Sequence, residues 1–263
     1  MIVVVPVDPP REGLVLPSLV DESSLSPAEA VSLYEAAVAD VLRAVASSGG
    51  DLLINYRDGE TVPDEYVDGG ADPEAEIRSL AVDALGKITE VSAESDGEGG
   101  ADGDGVRFER QVGSTRSARV GNTVTHLLER EDATSVGVLE PTAPLVRRTE
   151  IDGAAMSLRR NDVVLGPSTE GETYLAGFAA PVDFTDAYTT PRVATLADRA
   201  AEAELGTGFA PMMPSIETPA GFRATIAMLE ARAAAETPGG EATAAVIDDL
   251  GLSVGPDGSL ERA

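Results

Sequence analysis

Ile2-Val3-Val4-Val5-Pro6-Val7 is an unbroken apolar run, the pattern of a strand buried on both faces. A proline-rich loop follows it, from Asp8 to Ser24. Ser26-Pro27-Ala28-Glu29 then supplies a helix start: a capping serine, proline at the first helical position and a glutamate placed to close a capping box. Ala30, Leu33, Tyr34, Ala37, Val38, Val41, Leu42 and Val45 keep one apolar face for four turns. Gly49-Gly50 ends it, and Asp51-Leu52-Leu53-Ile54-Asn55-Tyr56 reads as a second buried strand. A strand, an amphipathic helix and another buried strand predict a parallel pair joined by a crossover.

The alternation continues outward from this unit. Asp72-Pro73 opens a helical pattern through Ile88, and a strand is expected near 106–112. A helix is expected over 116–129, a strand over 134–139, a helix over 150–158, and strands over 162–166 and 173–178. Helices over 193–205 and 219–235 close the pattern. This predicts a three-layer α/β/α domain with a mostly parallel central sheet over residues 1–235. Residues 236–263 read as a short extension with one helix near 242–250. Ligands of such sheets bind beyond the carboxyl ends of the strands, which singles out segments 8–24, 57–72, 140–149, 167–173 and 210–218.

Composition removes whole classes of chemistry. There is no Cys and a single His, so disulfides, thiolate nucleophiles and His-rich metal centres are excluded. His126 reads as a structural or surface residue. No Gly-x-Gly-x-x-Gly follows the first strand and no Gly-Lys-Ser/Thr occurs. The 263 residues carry 46 acids against 19 bases, a formal charge of −27, and every base but Lys87 is Arg. Such a field repels nucleic acid and anionic membranes. The acids run along the whole chain, a surface suited to concentrated salt and a halophilic source. No apolar run approaches a membrane span and the start lacks a basic leader, so a cytoplasmic location is expected. The acidic, glycine-rich segment 92–105 reads as a solvated loop rather than a Ca²⁺ loop.

Several stretches together resemble one family. They are Leu25–Ala30 with Leu33-Tyr34 and Asp40; Gln111-Val112-Gly113 with Arg119 and Asn122; Leu165-Gly166-Pro167-Ser168-Thr169-Glu170-Gly171-Glu172-Thr173-Tyr174-Leu175-Ala176-Gly177; Thr189-Thr190-Pro191-Arg192; and Ile216-Glu217-Thr218-Pro219. In order and spacing, over roughly residues 1–230, they resemble the GT-A-like nucleotide-diphospho-sugar transferases, the group described as radical-SAM-associated glycosyltransferases. The resemblance implies transfer of a sugar from a nucleoside-diphosphate sugar. A nucleotidyltransferase of the 2-phospholactate guanylyltransferase type and a non-catalytic ligand- or partner-binding member are the alternatives.

The same resemblance implies a site. Glu140 and Glu217 would hold Mg²⁺ or Mn²⁺, Arg11 and Arg119 would contact nucleotide phosphates, and Glu170 would position or deprotonate the acceptor. The chain departs from the pattern at Thr142, where the family has a metal-binding Asp, and in its first loop, which carries one Arg and no Lys. Glycines 166, 171 and 177 read as backbone-conformation positions. Ser114-Thr115-Arg116-Ser117 reads either as a phosphate-binding helix start or as an N-cap alone. As a loop residue, Glu140 is expected to be exposed and to contribute little stability.

Overall fold

A computed structural model of the chain describes residues 1–67, 72–86, 88–90 and 105–262. Lys87 and residues 92–104 of the acidic segment lie outside them. The central sheet is built of β1 (Ile2–Val7), β2 (Asp51–Tyr56), β3 (Thr89–Glu90), β4 (Gly105–Arg110), β5 (Val136–Leu139), β6 (Val163–Pro167), β7 (Thr173–Phe178) and β8 (Thr207–Phe209). Its order is β3-β4-β2-β1-β5-β7-β6-β8. Every pairing is parallel except those of β7, which runs antiparallel to both β5 and β6. β1 lies between β2 and β5, with Val4 opposite Leu53 on one side and Val138 on the other.

The run Ile2–Val7 is apolar throughout because both of its faces are covered. Val3, Val5 and Val7 join one core with Leu52 and Ile54, while Val4 joins the other with Leu53 and Val138. The first core is closed by α1 (Pro17–Glu22), α2 (Pro27–Ala46), α3 (Pro73–Leu85), α5 (Arg148–Ser157), α7 (Pro219–Ala234) and α8 (Glu241–Asp249). The second is closed by α4 (Arg116–Glu129) and α6 (Arg192–Glu202), through Val120, Val124, Leu127, Leu196 and Ala200. These are the three layers expected.

α2 begins as its sequence dictates. The Ser26 backbone N–H donates to Glu29 at 2.7 Å, and the Glu29 N–H donates to Ser26 Oγ at 3.3 Å. Such a cap stabilises a helix by about 1 kcal/mol. The C-terminal segment packs on the same helix. The Asp40 carboxylate, 5 % exposed, accepts from the Ala242 N–H, the Thr243 N–H and the Thr243 hydroxyl at 3.0, 2.8 and 2.7 Å. Beyond α8, β9 (Leu252–Val254) and β10 (Leu260–Arg262) form a hairpin, and Arg262 reaches back to Glu29 at 2.6 Å. Among the described residues, no helix is long and apolar enough to cross a membrane.

Candidate functional site

From β1 the sheet is extended on one side by β2 and on the other by β5, so the carboxyl ends of β1 and β5 flank the point where strand order reverses. A cavity of about 360 Å³ opens there. Asp8 enters it just past β1, Glu140 just past β5 and Glu172 just before β7. Tyr34 comes from α2, and Glu217 and Thr218 from the loop leading into α7.

Two arginines complete it. Arg116 is the first residue of α4 and Arg192 the first of α6. A basic side chain in the first helical turn opposes the helix dipole, a cost that a carboxylate partner offsets. Glu140 is that partner for both. Its Oε1 accepts from Arg192 at 3.2 Å, and its Oε2 pairs with Arg116. Arg192 also lies 2.9 Å from Glu172 and 3.7 Å from Glu217. The two guanidinium groups stand 5.8 and 5.7 Å from the centre of the Tyr188 ring. Thr190, joined to Pro191 by a cis peptide bond, donates to Glu172 at 2.5 Å.

Glu140 is 2 % exposed, which corrects the expectation of an exposed loop acid. Its N–H donates to the Tyr174 carbonyl at 2.8 Å, so the ladder between β5 and β7 carries one residue past the strand and draws Glu140 inward. The loop bearing Glu217 is pinned to the same place. The Ile216 N–H donates to the Thr142 carbonyl at 2.8 Å, and the Thr142 and Ser215 hydroxyls lie 2.9 Å apart. Gly221 admits this contact: a Cβ there would lie 1.9 Å from the Ser215 carbonyl oxygen.

Burial, and then the charge of Glu140, pushes the Glu217 carboxyl above its ordinary pKa against the pull of Arg192 and Arg116. Burial depresses Arg116, but Glu140 and Glu217 outweigh it and hold this guanidinium above its ordinary value. Tyr34 accepts the Asp8 N–H at 2.9 Å and is pushed well up, chiefly by burial.

Of the five residues singled out in the sequence, Glu140 and Glu217 meet in this cavity. Arg11 does not line it: its guanidinium is held by Glu76 of α3 at 2.7 Å and by the Tyr66 carbonyl at 2.6 Å. Arg119 does not line it either and donates to Gln111 at 2.7 Å; burial and the neighbouring Arg57 lower it to about 10. Glu170 is exposed, because it and Gly171 both adopt left-handed backbone, φ 59° and 79°. That turn directs Glu170 to solvent and returns Glu172 to the cavity, with a side chain only 11 % exposed. Sequence reasoning missed Glu172 and Arg192 and left Arg116 between two readings. Thr115 does cap α4, accepting from the Ala118 N–H at 3.1 Å. His126 lies more than half exposed on α4, 3.3 Å from Glu131.

Mg²⁺ and Mn²⁺ require several oxygen ligands converging on one point. Both Glu140 oxygens already face guanidinium groups, and among the described residues no group of three or more His, Asp or Glu is arranged to hold a metal ion. As arranged, these residues do not fit a divalent ion.

No family model matches the chain, and no curated protein does. Among solved structures, a "putative nucleotide-diphospho-sugar transferase" from Desulfovibrio desulfuricans G20 is similar over 94 % of this chain and 93 % of its own, with a TM-score of 0.69 and 17 % identity. The fold is nucleotide-diphospho-sugar-transferase-like. Looser likenesses include a cytidylyltransferase from Leptospira borgpetersenii (TM-score 0.49, 8 % identity, 94 % of this chain and 93 % of that one). Another is a CMP:2-keto-3-deoxy-manno-octonic acid synthetase complexed with CTP (0.45, 12 %, 88 % and 98 %).

Proposed function

We propose that the chain binds a nucleoside-diphosphate sugar in this cavity and transfers the sugar to an acceptor hydroxyl. One observation carries the reading: α4, α6 and α7 all begin at the cavity, and the first two begin with the arginines that line it. Helix N-termini offer free N–H groups and positive dipole ends to anions, and guanidinium groups match phosphate oxygens with paired donors. The cavity also carries Asp8, Glu140, Glu172 and Glu217, so its positive character is confined to these two guanidinium groups and the helix ends.

In the reaction the acceptor oxygen attacks the anomeric carbon and the bond from that carbon to the diphosphate breaks. Negative charge grows on the departing diphosphate, where Arg116 and Arg192 meet it. The acceptor proton goes to a carboxylate. Glu217 has the raised pKa that suits a base, and Glu172 holds the position at the cavity that Glu170 does not. The acidic surface belongs to a protein that works in concentrated salt in the cytoplasm.

The test is thermal denaturation in molar KCl with a panel of nucleoside diphosphates and their sugars, followed by product analysis. A ligand at 100 times its Kd raises stability by about 2.7 kcal/mol. Release of a nucleoside diphosphate from the sugar nucleotide supports glycosyl transfer. Pyrophosphate release from a nucleoside triphosphate points instead to nucleotidyl transfer. Stabilisation without turnover leaves a binding protein, a reading drawn from Arg11 facing away from the cavity and Thr142 standing without a carboxylate.

A further inference from the structure

We propose that Arg192 is the resident cation of this cleft, so that the chain handles a diphosphate without a divalent metal. The inference deepens the nucleoside-diphosphate reading and rests on it for its ligand. Three carboxylates from three separate loops, Glu140, Glu172 and Glu217, surround one guanidinium at 3.2, 2.9 and 3.7 Å. A bound cation would draw such a set together, and here the cation is covalently part of α6. Its side chain is 10 % exposed. Arginine keeps its charge at every working pH and presents planar, paired donors. A divalent ion entering the same space would have to displace Arg192 from Glu140 and then sit beside both guanidinium groups, a like-charge contact in a buried site.

The surroundings agree with this assignment. Thr142, two residues past Glu140, spends its hydroxyl on Ser215 and brings no further carboxylate. Thr190 fixes Glu172 from the turn that delivers Arg192, so guanidinium and partner are set by one piece of chain. On arrival of a diphosphate, phosphate oxygens take the places of Glu172 and Glu217 on Arg192. Glu140 stays between the two arginines and keeps both side chains aimed into the cleft.

Two sets of measurements test it, all in molar KCl to suppress adventitious ion binding to the acidic surface. The first uses Mn²⁺ alone, read by electron paramagnetic resonance. Wild type and Glu140→Gln should bind Mn²⁺ alike, while Arg192→Gln, which bares three carboxylates, should gain a saturable Mn²⁺ signal. A saturable wild-type signal that Glu140→Gln abolishes overturns the inference.

The second uses UDP, ADP, CDP and GDP by calorimetry, in EDTA and in millimolar Mn²⁺. The diphosphate that binds wild type should bind equally in both. Arg192→Gln should weaken it about tenfold in EDTA, the loss of one charge-assisted hydrogen bond, with Arg192→Lys intermediate. Wild-type binding that depends on Mn²⁺ overturns the inference. Absence of diphosphate binding in both buffers sinks the nucleoside-diphosphate reading instead, and the Mn²⁺ titrations still decide the place of Arg192. Should Arg192→Gln fail to fold, the wild-type and Glu140→Gln arms decide alone.

Discussion

Replacing Glu140 by Gln removes one negative charge and leaves nearly the same shape. Glu140 is 2 % exposed, and each carboxylate oxygen faces a guanidinium. Removing one member of a buried ion pair costs roughly 3–5 kcal/mol, because the partner's charge is left uncompensated. Two features set the value here. The Arg192 side chain is 10 % exposed, so its loss is felt almost in full, although Glu172 and Glu217 remain near it. The Arg116 side chain is 30 % exposed, and solvent takes up part of its charge. The expected loss is about 2–4 kcal/mol, or a fall in Tm of roughly 5–15 °C for a domain of this size. Urea denaturation and calorimetry in molar KCl measure it, with Glu170→Gln as the control on an exposed acid, expected within about 0.5 kcal/mol of wild type. A Glu140→Gln protein that melts with wild type would show that the buried network contributes nothing, and would return Glu140 to the status of a loop acid.

Asp40→Ala strands buried donors of Ala242 and Thr243 and is expected to cost about 3 kcal/mol, with hydrogen exchange rising first in α8. Gly221→Ala sets a methyl against the Ser215 carbonyl; it should cost about 2 kcal/mol or more and weaken nucleotide affinity by moving Glu217, both read from ligand-dependent melting. The Arg262 guanidinium, then the Ser26 N–H, holds Glu29 at about 2, below its usual 4.5. A carboxyl depressed in the folded state stabilises fully above its ordinary pKa and loses that contribution as pH falls toward about 2. Arg262→Ala should raise the Glu29 titration seen by NMR while leaving it below the ordinary value, because the Ser26 N–H and hydroxyl still donate to Glu29. Lowering salt from molar to about 0.1 M lengthens the Debye length from about 3 to about 10 Å and should lower Tm through repulsion among the acids; an unchanged Tm removes the salt-adapted reading.

The fold was legible wherever local signals agreed with one another. The Ser26 capping box, the apolar face of α2 and the run Ile2–Val7 all point to a crossover between parallel strands, and that unit is present with β1 at the centre. The illegible parts are those whose cause is not local. α1 has six residues, starts at Leu16 with left-handed backbone and has no side-chain cap, so no window in the proline-rich loop could reveal it. β8, β9 and β10 have three residues each, too few to show alternation. Nothing in Thr173–Phe178 encodes that β7 runs antiparallel; that follows from its short return from β6 through the turn at Glu170-Gly171.

The candidate site was legible in two of its acids, Glu140 and Glu217, whereas Glu172 and the arginines were missed or left undecided. Glu140 and Glu217 stand where strand-end and helix-start rules put ligands, so position alone marks them. The arginines carry a different mark, against the grain of local preference: each is the first residue of a helix whose dipole repels it. Surface charge pairs weaken once the Debye length shrinks to a few ångströms, whereas a buried guanidinium against a buried carboxylate is shielded from dissolved ions. A positive charge placed under cover against a buried carboxylate therefore keeps its partner whatever the salt concentration. Arg192, with a side chain 10 % exposed, is placed in this way by Glu140 against its helix dipole, and Arg116, 30 % exposed, in part. Arg148 also opens a helix but lies 63 % exposed beside Asp152, so a basic residue at a helix start marks such a site only where a buried carboxylate faces it.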